Sequence, residues 1–504
     1  MSKKLTAYSI FALVWLAFLI IFTWGYWEDD AFIHLEFASS LYEGRRFSFN
    51  GLTTYGDTSP AWVFMLVIFH YFIQDWYIAG KILALLGVAF AISGMFFFVR
   101  RITDKDPRGN EIAAISILLI LINPYFIFWA FSGMEAVTAF GLIFWLLYLI
   151  LPPAPSSPNQ NSENSSDLKV LTKLSAIAAL IGIAPLLRPE SILISFIAFI
   201  YSFIYPASDF KRLKDINIIT ARSIFLLIAI APVALWIAYA FSEFGKILPN
   251  TNAAKKIQGG IGETFLRMIH VYLLGFGVPL VIIALAPLIK IFCRDSSKPR
   301  ADSTLFSRDA CILAICWIVL LSVFYLLNKT NVQTRYALLI GPLFIIFSTL
   351  ILYEYSTSAR GRLLFNLGLI SMVLVNLLLF AVSVAPHLLN KVKTVDQIRQ
   401  LTSFINMNIP EKEPIAVYAI GQIGFETKNP IIDTGGITMP EVVQFLGSEE
   451  KVKNWAIAKG AKYFIGDSQH GFNKIFEREG YFLGWSLNPN AYRQTQTVYL
   501  YRID

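Results

Sequence analysis

The sequence predicts a polytopic α-helical membrane protein that ends in a small α/β domain. Of its 504 residues, 56% are hydrophobic and only 15% are charged, whereas a soluble globular domain usually carries about 25% charged residues. Apolar runs of about 18 or more residues recur along the chain, as membrane-spanning helices require. Beyond residue 386 the sequence becomes far more polar. We therefore expect a membrane domain, residues 1–386, followed by an extramembrane domain, residues 387–504.

The first apolar run follows Lys3 and Lys4 and ends in the aromatic residues Trp24, Tyr26 and Trp27. No small-residue cleavage site follows it, so we expect an uncleaved first span rather than a signal peptide. Lysines before a first span favour a cytoplasmic N-terminus, and aromatic residues favour the opposite membrane interface. The acidic residues that follow this run are therefore expected on the outer face.

Residues 59–75 are expected to lie at the outer membrane interface rather than to cross the bilayer. This segment has only about 13 apolar positions, fewer than a span needs. If it crossed, the basic loops that follow would lie outside, against the positive-inside rule. With it at the interface, about eleven spans remain, at residues 5–26, 79–99, 111–131, 136–151, 170–187, 191–205, 220–243, 266–290, 309–327, 336–353 and 363–385.

Two polar segments complete the domain organisation. Residues 152–169, rich in Pro, Ser and Asn, predict a disordered cytoplasmic linker. Residues 387–504 combine helical patterns with strand-like runs such as "PIAVYAIG", "KYFIGD" and "TVYLYRI". This mixture predicts a small α/β domain, which the topology puts outside.

Charge and cysteine content exclude two classes of protein. The formal net charge is +8, but much of the basic excess lies between apolar runs, as cytoplasmic loops require, and does not indicate nucleic-acid binding. The three cysteines lie in or beside apolar runs, so no disulfide framework is expected.

In this topology, polar side chains at helix ends gather on the outer face. The first outer loop, residues 27–78, and the later outer loops supply Asp29, Asp30, His34, Glu36, Glu43, Arg45, Arg46, Asn50, Asp57, Glu135, Arg188, Glu190, Asn250, Lys255, Lys256, Lys329, Arg335 and Tyr336. Outer loops are usually poor in Lys and Arg. Cations around a carboxylate pair at the membrane surface therefore favour an anionic, membrane-tethered substrate.

This arrangement predicts glycosyl transfer from a lipid-linked sugar. Arg can hold two phosphate oxygens at once and Lys acts as a point charge, while an aspartate can accept the proton of the incoming hydroxyl. The cations, or a bound divalent ion, would stabilise the leaving lipid phosphate. The candidate donor- and substrate-binding residues are His34, Asn50, Arg188, Glu190, Asn250, Lys255, Lys256, Arg335 and Tyr336.

The first outer loop resembles that of the GT-C superfamily of membrane glycosyltransferases. It is most similar to the polyprenyl-phosphate-sugar branch, which includes arabinofuranosyltransferases and aminoarabinose or mannose transferases. The residues that match the pattern of that loop are Asp29, Asp30, Phe32, Gly44, Phe49, Asn50, Gly56, Thr58, Ser59, Pro60 and Trp62. Relatives often have Glu-Gly-Tyr-Thr where this chain has "TYGDT", so the acid at Asp57 departs from the pattern. Weaker matches lie in "SGMEA", "LRPE", "LPNTNAAK", "TRY" and "AIGQIGFE".

The resemblance implies the GT-C fold, a polyprenyl-phosphate-linked sugar donor, and a glycan or glycolipid acceptor in the cell envelope. It implies that Asp29 or Asp30 is the general base, usually with inversion at the anomeric carbon. Some relatives use a divalent cation such as Mg²⁺ or Mn²⁺, for which Asp29, Asp30 and Glu135 are the candidate ligands. The implied location is the bacterial inner membrane, with a cytoplasmic N-terminus and a periplasmic C-terminal domain.

Structural roles compete with several of these assignments. Asp30 could be the N-cap of a helix over 31–43, with Gly44 as its C-terminal cap, which would leave Asp29 freer to act as base. Glu135 could only mark a helix start. The residues that could instead be interfacial anchors or solvated polar positions are His34, Arg188, Lys255, Lys256, Arg335 and Tyr336.

Two other functions stay open. The chain could be an oligosaccharyl or protein glycosyltransferase of the same superfamily, which would modify a polypeptide. It could also be a non-enzymatic transporter of lipid-linked sugars, which predicts charged residues inside the spans. The predicted spans are nearly free of charge away from their ends, which disfavours transport.

Overall fold

The computed structural model describes residues 3–104, 106–152, 167–204, 210, 213, 217–251, 260–293, 307–356, 358–466, 472–481 and 487–503. Most of these residues are helical. The helices are α1 (Lys3–Thr23), α2 (Asp29–Tyr42), α3 (Pro60–Ile73), α4 (Trp76–Ile102), α5 (Gly109–Leu121), α6 (Pro124–Ala130), α7 (Ala136–Ile150), α8 (Asp167–Leu187), α9 (Ile192–Ile204), α10 (Ile218–Phe244), α11 (Ile261–Ala284), α12 (Ala286–Phe292), α13 (Arg308–Leu327), α14 (Thr334–Ala337), α15 (Gly341–Tyr355), α16 (Ala359–Leu379), α17 (Ala385–Asn408), α18 (Ile420–Glu426) and α19 (Glu449–Ala458).

The length and apolar composition of these helices make the chain a multi-pass membrane protein. Seven helical stretches within the described residues are long and apolar enough to cross a membrane: Lys4–Thr23, Trp76–Ile102, Asp167–Leu187, Ile218–Phe244, Ile261–Ala284, Arg308–Leu327 and Ala359–Asn408. Helices α5 and α6, bent by 72° at their junction, add an eighth if they form one span.

Among the described residues, at most eight of the eleven expected spans are long enough by this measure. Three of the segments expected to span form the shorter apolar helices Ala136–Ile150, Pro189–Phe203 and Gly341–Tyr355. Helices of this length fall short of the about 20 residues that cross a hydrocarbon core. Helices α7 and α15 bury most of their residues within the protein, and their crossing of the membrane stays a prediction.

Helix α3 covers the segment expected at the membrane interface. Its 14 residues follow Asp57, whose Oδ1 accepts a hydrogen bond from the Ser59 amide at 2.5 Å. The side of α3 that carries Trp62 is buried, whereas the opposite side exposes Ile68 and Phe72. An exposed apolar side on a short helix is compatible with lipid contact, and the interfacial position remains a prediction.

The expected linker lies mostly outside the described residues, which resume at Asp167. The last three residues assigned to it, 167–169, begin helix α8. An acidic residue in the first turn of a helix interacts favourably with the helix dipole, so Asp167 favours a helix start rather than continued linker.

The described residues contain two separate sheets. The smaller one lies in the first outer loop, where the short strands β1 (Ser48–Phe49) and β2 (Leu52–Thr53) pair antiparallel. The larger one has five strands and lies in the C-terminal part of the chain. The later strands are β3 (Ile415–Val417), β4 (Ile431–Asp433), β5 (Tyr463–Gly466), β6 (Asn473–Tyr481) and β7 (Thr495–Arg502), in the spatial order β4-β3-β5-β7-β6. Strand β3 pairs in parallel with β4 and β5, and β7 pairs antiparallel with β5 and β6.

A continuous helix joins the two parts. The helical stretch Ala359–Asn408 includes α16, a π-helical turn at Phe380–Val384, and α17. The domain boundary expected after residue 386 thus falls inside a helix rather than in a flexible connection. Apolar side chains of the first outer loop and of the sheet belong to the same buried core. The sheet therefore packs directly over the first outer loop.

Candidate functional site

A cavity of about 500 Å³ lies where the first outer loop meets the ends of the later helices. Its charged lining consists of Asp30, His34, Asp57, Glu135, Arg188, Glu190 and Arg335. Its apolar lining includes Pro185, Leu186, Val233, Trp236, Ile237, Leu248 and Phe324. The cavity thus combines a charged region with an apolar region, as a site for an amphipathic ligand requires.

Helix α2 directs two of the charged side chains into the cavity. Asp30 and His34 are four residues apart, so they lie on the same face of the helix. Asp30 Oδ2 accepts a hydrogen bond from Arg335 Nη1 at 2.8 Å. The Arg335 side chain is 4% exposed, whereas that of Asp30 is 30% exposed. Asp30 is therefore a paired carboxylate that remains accessible from the cavity.

His34 lies between two carboxylates. Its Nδ1 is 2.5 Å from Asp57 Oδ2, and its Nε2 is 3.2 Å from Glu135 Oε2. Burial lowers the pKa of His34, but the charges and hydrogen bonds of the two carboxylates outweigh burial and raise it to about 10. The imidazole is consequently protonated at neutral pH and carries an N–H on both nitrogens.

Arg188 continues this chain of buried charges. Its Nη1 lies 2.7 Å from Glu135 Oε1, and its Nη2 lies 2.7 Å from Glu190 Oε1. The residue that follows is Pro189, which disfavours the helical conformation at Arg188, and Arg188 is extended with φ −150° and ψ 125°. Burial raises the pKa of Glu135, but His34 and Arg188 outweigh burial and lower it to about 2. Glu135 is therefore ionised.

Replacing His34 by Gln is expected to lower the melting temperature most at low pH. The raised pKa stabilises the fold fully below the ordinary value of 6.5, and this stabilisation is lost as pH rises through about 10. The difference in melting temperature between the wild type and the variant should therefore shrink as pH rises from 6.5 to about 10. The exposed His270 supplies the control, His270→Gln. A wild-type-to-variant difference that is the same at pH 6 and pH 10 would contradict this assignment.

Asp29 points away from the cavity. Its Oδ2 and Oδ1 accept hydrogen bonds from the backbone N–H groups of Gly421 at 3.1 Å and Gln422 at 3.0 Å. Burial raises the pKa of Asp29 to about 6, although both N–H groups oppose this shift. Helix α2 begins at Asp29 with Glu28 as its N-cap, so the expectation that Asp30 caps the helix is wrong. Asp29 is thus bound to the backbone of the C-terminal region, whereas Asp30 is bound to Arg335 in the cavity.

The other candidate binding residues divide into three groups. Arg188, Glu190, Arg335, Tyr336 and His34 line the cavity. Two asparagines do not line it: Asn50 bonds to Gly424 and Ile431 of the C-terminal sheet region, and Asn250 bonds to Thr54 and Tyr55 of the first loop. Lys255 and Lys256 lie outside the described residues.

The residues proposed as metal ligands do not form a metal site. Asp29 accepts backbone N–H groups, Asp30 pairs with Arg335, and Glu135 pairs with His34 and Arg188. Within the part of the chain that the structure describes, no group of three or more His, Cys, Asp or Glu side chains could hold a metal ion. The carboxylates expected to bind a cation are instead occupied by guanidinium, imidazolium and amide groups.

The sequence does not single out several other buried residues. Tyr325 and Thr251 line the cavity and have buried oxygens with no hydrogen-bond partner. Aromatic and small residues at helix ends resemble ordinary core, so no sequence signal distinguishes them. The sequence alone could have singled out Lys81, because a lysine in an apolar helix is unusual. It donates to the carbonyls of Tyr26 and Phe131, which ties α4 to the neighbouring loops.

One family match covers the C-terminal sheet. Residues 390–501 match the family described as a domain of unknown function (DUF8728). No curated protein sequence matches the chain.

Solved structures are similar to nearly the whole chain. ArnT, an aminoarabinose transferase, from Cupriavidus metallidurans bound to undecaprenyl phosphate has a TM-score of 0.56 at 12% identity, covering 98% of this chain and 97% of ArnT. The apo oligosaccharyltransferase of Archaeoglobus fulgidus has a TM-score of 0.55 at 12% identity, covering 92% of this chain and 69% of that one. The archaeal oligosaccharyltransferase AglB, also from Archaeoglobus fulgidus, in complex with an inhibitory peptide and a dolichol-phosphate has a TM-score of 0.51 at 13% identity, with the same coverage. The chain therefore has the fold of the GT-C membrane glycosyltransferases.

Proposed function

We propose that the chain is a membrane glycosyltransferase. It moves a sugar from a polyprenyl-phosphate donor to a hydroxyl of a cell-envelope glycan or glycolipid. The observation that carries this proposal is the cavity, in which the accessible carboxylate of Asp30 pairs with the buried guanidinium group of Arg335 and the buried Arg188 also lines the wall. A carboxylate can accept a proton and guanidinium groups can hold a phosphate.

The charged region of the cavity suits the phosphate of a lipid-linked sugar, and the apolar region suits its lipid. Arg335 and Arg188 would hold the phosphate, while apolar residues such as Trp236 and Phe324 would contact the lipid. Two structures with the same fold support this donor class, since one binds undecaprenyl phosphate and another binds a dolichol-phosphate. The similarity extends over 97% of ArnT but over 69% of the oligosaccharyltransferase, which favours the proposal over the oligosaccharyl alternative.

The reaction that fits this arrangement is a direct displacement. The oxygen of the acceptor hydroxyl forms a bond to the anomeric carbon of the donor sugar. Asp30 accepts the proton of that hydroxyl as the bond forms. The bond from that carbon to the phosphate oxygen breaks, and polyprenyl phosphate leaves. Attack opposite the leaving group inverts the anomeric configuration. Arg335 and Arg188 stabilise the charge on the leaving phosphate, because fixed donors in a buried site need little reorganisation.

The same proposal assigns an orientation. The N-terminus and residues 152–169 lie in the cytoplasm, while the first outer loop, residues 27–78, and the domain after residue 386 lie outside the bacterial inner membrane. This orientation follows the positive-inside rule and brings Asp30 to the outer face. The envelope acceptor would then reach the cavity from the periplasm.

Transfer can be tested with the purified chain in lipid nanodiscs. The assay supplies radiolabelled polyprenyl-phosphate sugars and extracted envelope glycolipids. We expect label on a glycolipid or glycan together with stoichiometric release of polyprenyl phosphate. Label on a polypeptide would favour the oligosaccharyl alternative. Movement of the intact donor between leaflets without bond cleavage would favour a transporter and contradict the proposal.

A further inference from the structure

We infer that the C-terminal domain, residues 390–501, positions the first outer loop for catalysis and that Asp29 is the positioning residue. This inference rests on the proposed function, since it concerns the orientation of Asp30. It assigns a role to the part of the chain whose family match carries no function. The domain would act through contact with the loop rather than as a separate module.

The contact that carries the inference is made by Asp29. Both of its carboxylate oxygens accept backbone N–H groups, from Gly421 and Gln422 at the start of α18. Asp29 and Asp30 are consecutive residues of α2. With about 3.6 residues per turn, their side chains point about 100° apart. Holding Asp29 against the domain therefore fixes the rotation of α2 that directs Asp30 into the cavity.

The backbone at this contact approaches too closely for a side chain. A Cβ atom at Gly421 would lie 2.0 Å from the backbone oxygen of Asp29. A Cβ atom at Gly424 would lie 2.5 Å from the ring of Phe49 in the first loop. Both positions therefore need glycine for the domain to reach the loop.

Further hydrogen bonds join the domain to the rest of the loop. Asn50 Nδ2 donates to the Gly424 carbonyl at 3.3 Å, and its Oδ1 accepts the Ile431 amide at 3.2 Å. Thr54 Oγ1 donates to the Thr438 carbonyl at 2.8 Å. The contact thus extends along the loop from α2 to the residues that precede Asp57, the partner of His34.

The domain also supplies part of the cavity wall. Asp433 accepts hydrogen bonds from the amides of Gly435, Gly436 and Thr438 at 2.7, 3.0 and 2.6 Å. These bonds hold a tight turn after β4, and Ile437 in this turn lines the cavity. The cavity is therefore incomplete without the domain.

The two backbone N–H groups at this contact need acceptors, which Asp29 supplies with both carboxylate oxygens. An Asn at this position keeps the shape of the side chain and one acceptor oxygen. Asp29→Asn is therefore expected to keep the fold and part of the contact.

The test measures kcat, donor KM and melting temperature in nanodiscs. Asp29→Ala and Gly421→Ala are each expected to lower kcat about 10²-fold, the effect of a small displacement of a catalytic group. Donor KM should stay within about twofold, because the guanidinium groups are untouched. The double variant should be no slower than the slower single variant, because both changes break one contact. Asp29→Asn should recover part of kcat.

Two controls match these changes. Asp396→Asn alters an exposed aspartate on α17, and Gly262→Ala adds a Cβ that meets nothing within 4 Å. Both should keep wild-type kcat. Wild-type kcat in Asp29→Ala and Gly421→Ala would overturn the inference, as would a rise in donor KM with unchanged kcat. If Asp29→Ala does not fold, Asp29→Asn and Gly421→Ala decide the result.

The outcome for Asp30 separates this inference from the proposed function. If Asp30→Asn loses transfer while Asp29→Ala and Gly421→Ala keep it, the positioning role fails and the proposed function stands. If Asp30→Asn retains wild-type transfer, the role of Asp30 as base fails. If the wild-type chain transfers no sugar, the proposed function itself fails.

Discussion

Replacing Asp30 by Asn is expected to lower kcat for sugar transfer about 10²–10⁴-fold, the usual contribution of a general base. The substitution keeps the shape of the side chain but removes the group that accepts the hydroxyl proton. Donor KM should change much less, because the buried Arg188 and Arg335 remain. Single-turnover transfer from a labelled polyprenyl-phosphate sugar, measured in nanodiscs, separates these parameters.

The control for this prediction is again Asp396→Asn, which makes the same chemical change at an exposed site. Retention of the wild-type melting temperature in Asp30→Asn would show that lost activity is not lost folding. Wild-type kcat in this variant would contradict the role of Asp30 as base. A loss confined to donor KM would instead assign Asp30 to binding.

The membrane fold could largely be predicted from hydropathy, whereas the set of apolar helices that cross the bilayer could not. The first span and the long helices α4, α10 and α13 are apolar over the length of a bilayer. Helices α7 and α15 are equally apolar but have only 15 residues each. Burial within a protein and burial in lipid both favour apolar side chains, so composition alone does not distinguish a core helix from a span. Helix boundaries are also poorly fixed by sequence, so the crossing of the short helices stays a prediction.

The members of the site could be predicted better than their pairing. Asp30, His34, Glu135, Arg188 and Arg335 are polar residues next to apolar runs, and topology brings such positions to one face. The pair Asp30–Arg335, however, joins residues 305 positions apart. Only tertiary structure determines a pair of that separation.

The roles of the two adjacent acids could not be predicted for a similar reason. Asp29 bonds to backbone N–H groups of Gly421 and Gln422, and a backbone amide has no side-chain signature in a sequence. The helix was expected to begin at residue 31, two residues later than it does. Asp30, expected as its N-cap, therefore lies inside the first turn. Errors of one or two residues at helix ends are common, and here one residue separates two different environments.

The largest effect on stability is expected from Arg188→Ala, which should lower the free energy of unfolding by about 3–5 kcal/mol. Arg188 is 5% exposed and lies between Glu135 and Glu190. Its removal leaves the buried Glu190 without a cation and Glu135 with His34 alone, and a buried unpaired charge is strongly unfavourable. Unfolding of the detergent-solubilised protein by added SDS, followed by tryptophan fluorescence, measures the change.

An exposed ion pair provides the matched comparison for Arg188. The Arg46 side chain is 71% exposed and lies 2.9 Å from Glu243, so Arg46→Ala should cost no more than about 1 kcal/mol. The triple variant Arg188→Ala, Glu135→Gln and Glu190→Gln should be more stable than Arg188→Ala alone, because it also removes the unpaired charges. This recovery distinguishes electrostatics from lost packing, since the cavity left by Arg188 is the same in both variants. Equal stability of Arg188→Ala and Arg46→Ala would show that water or a rearranged cation compensates the carboxylates.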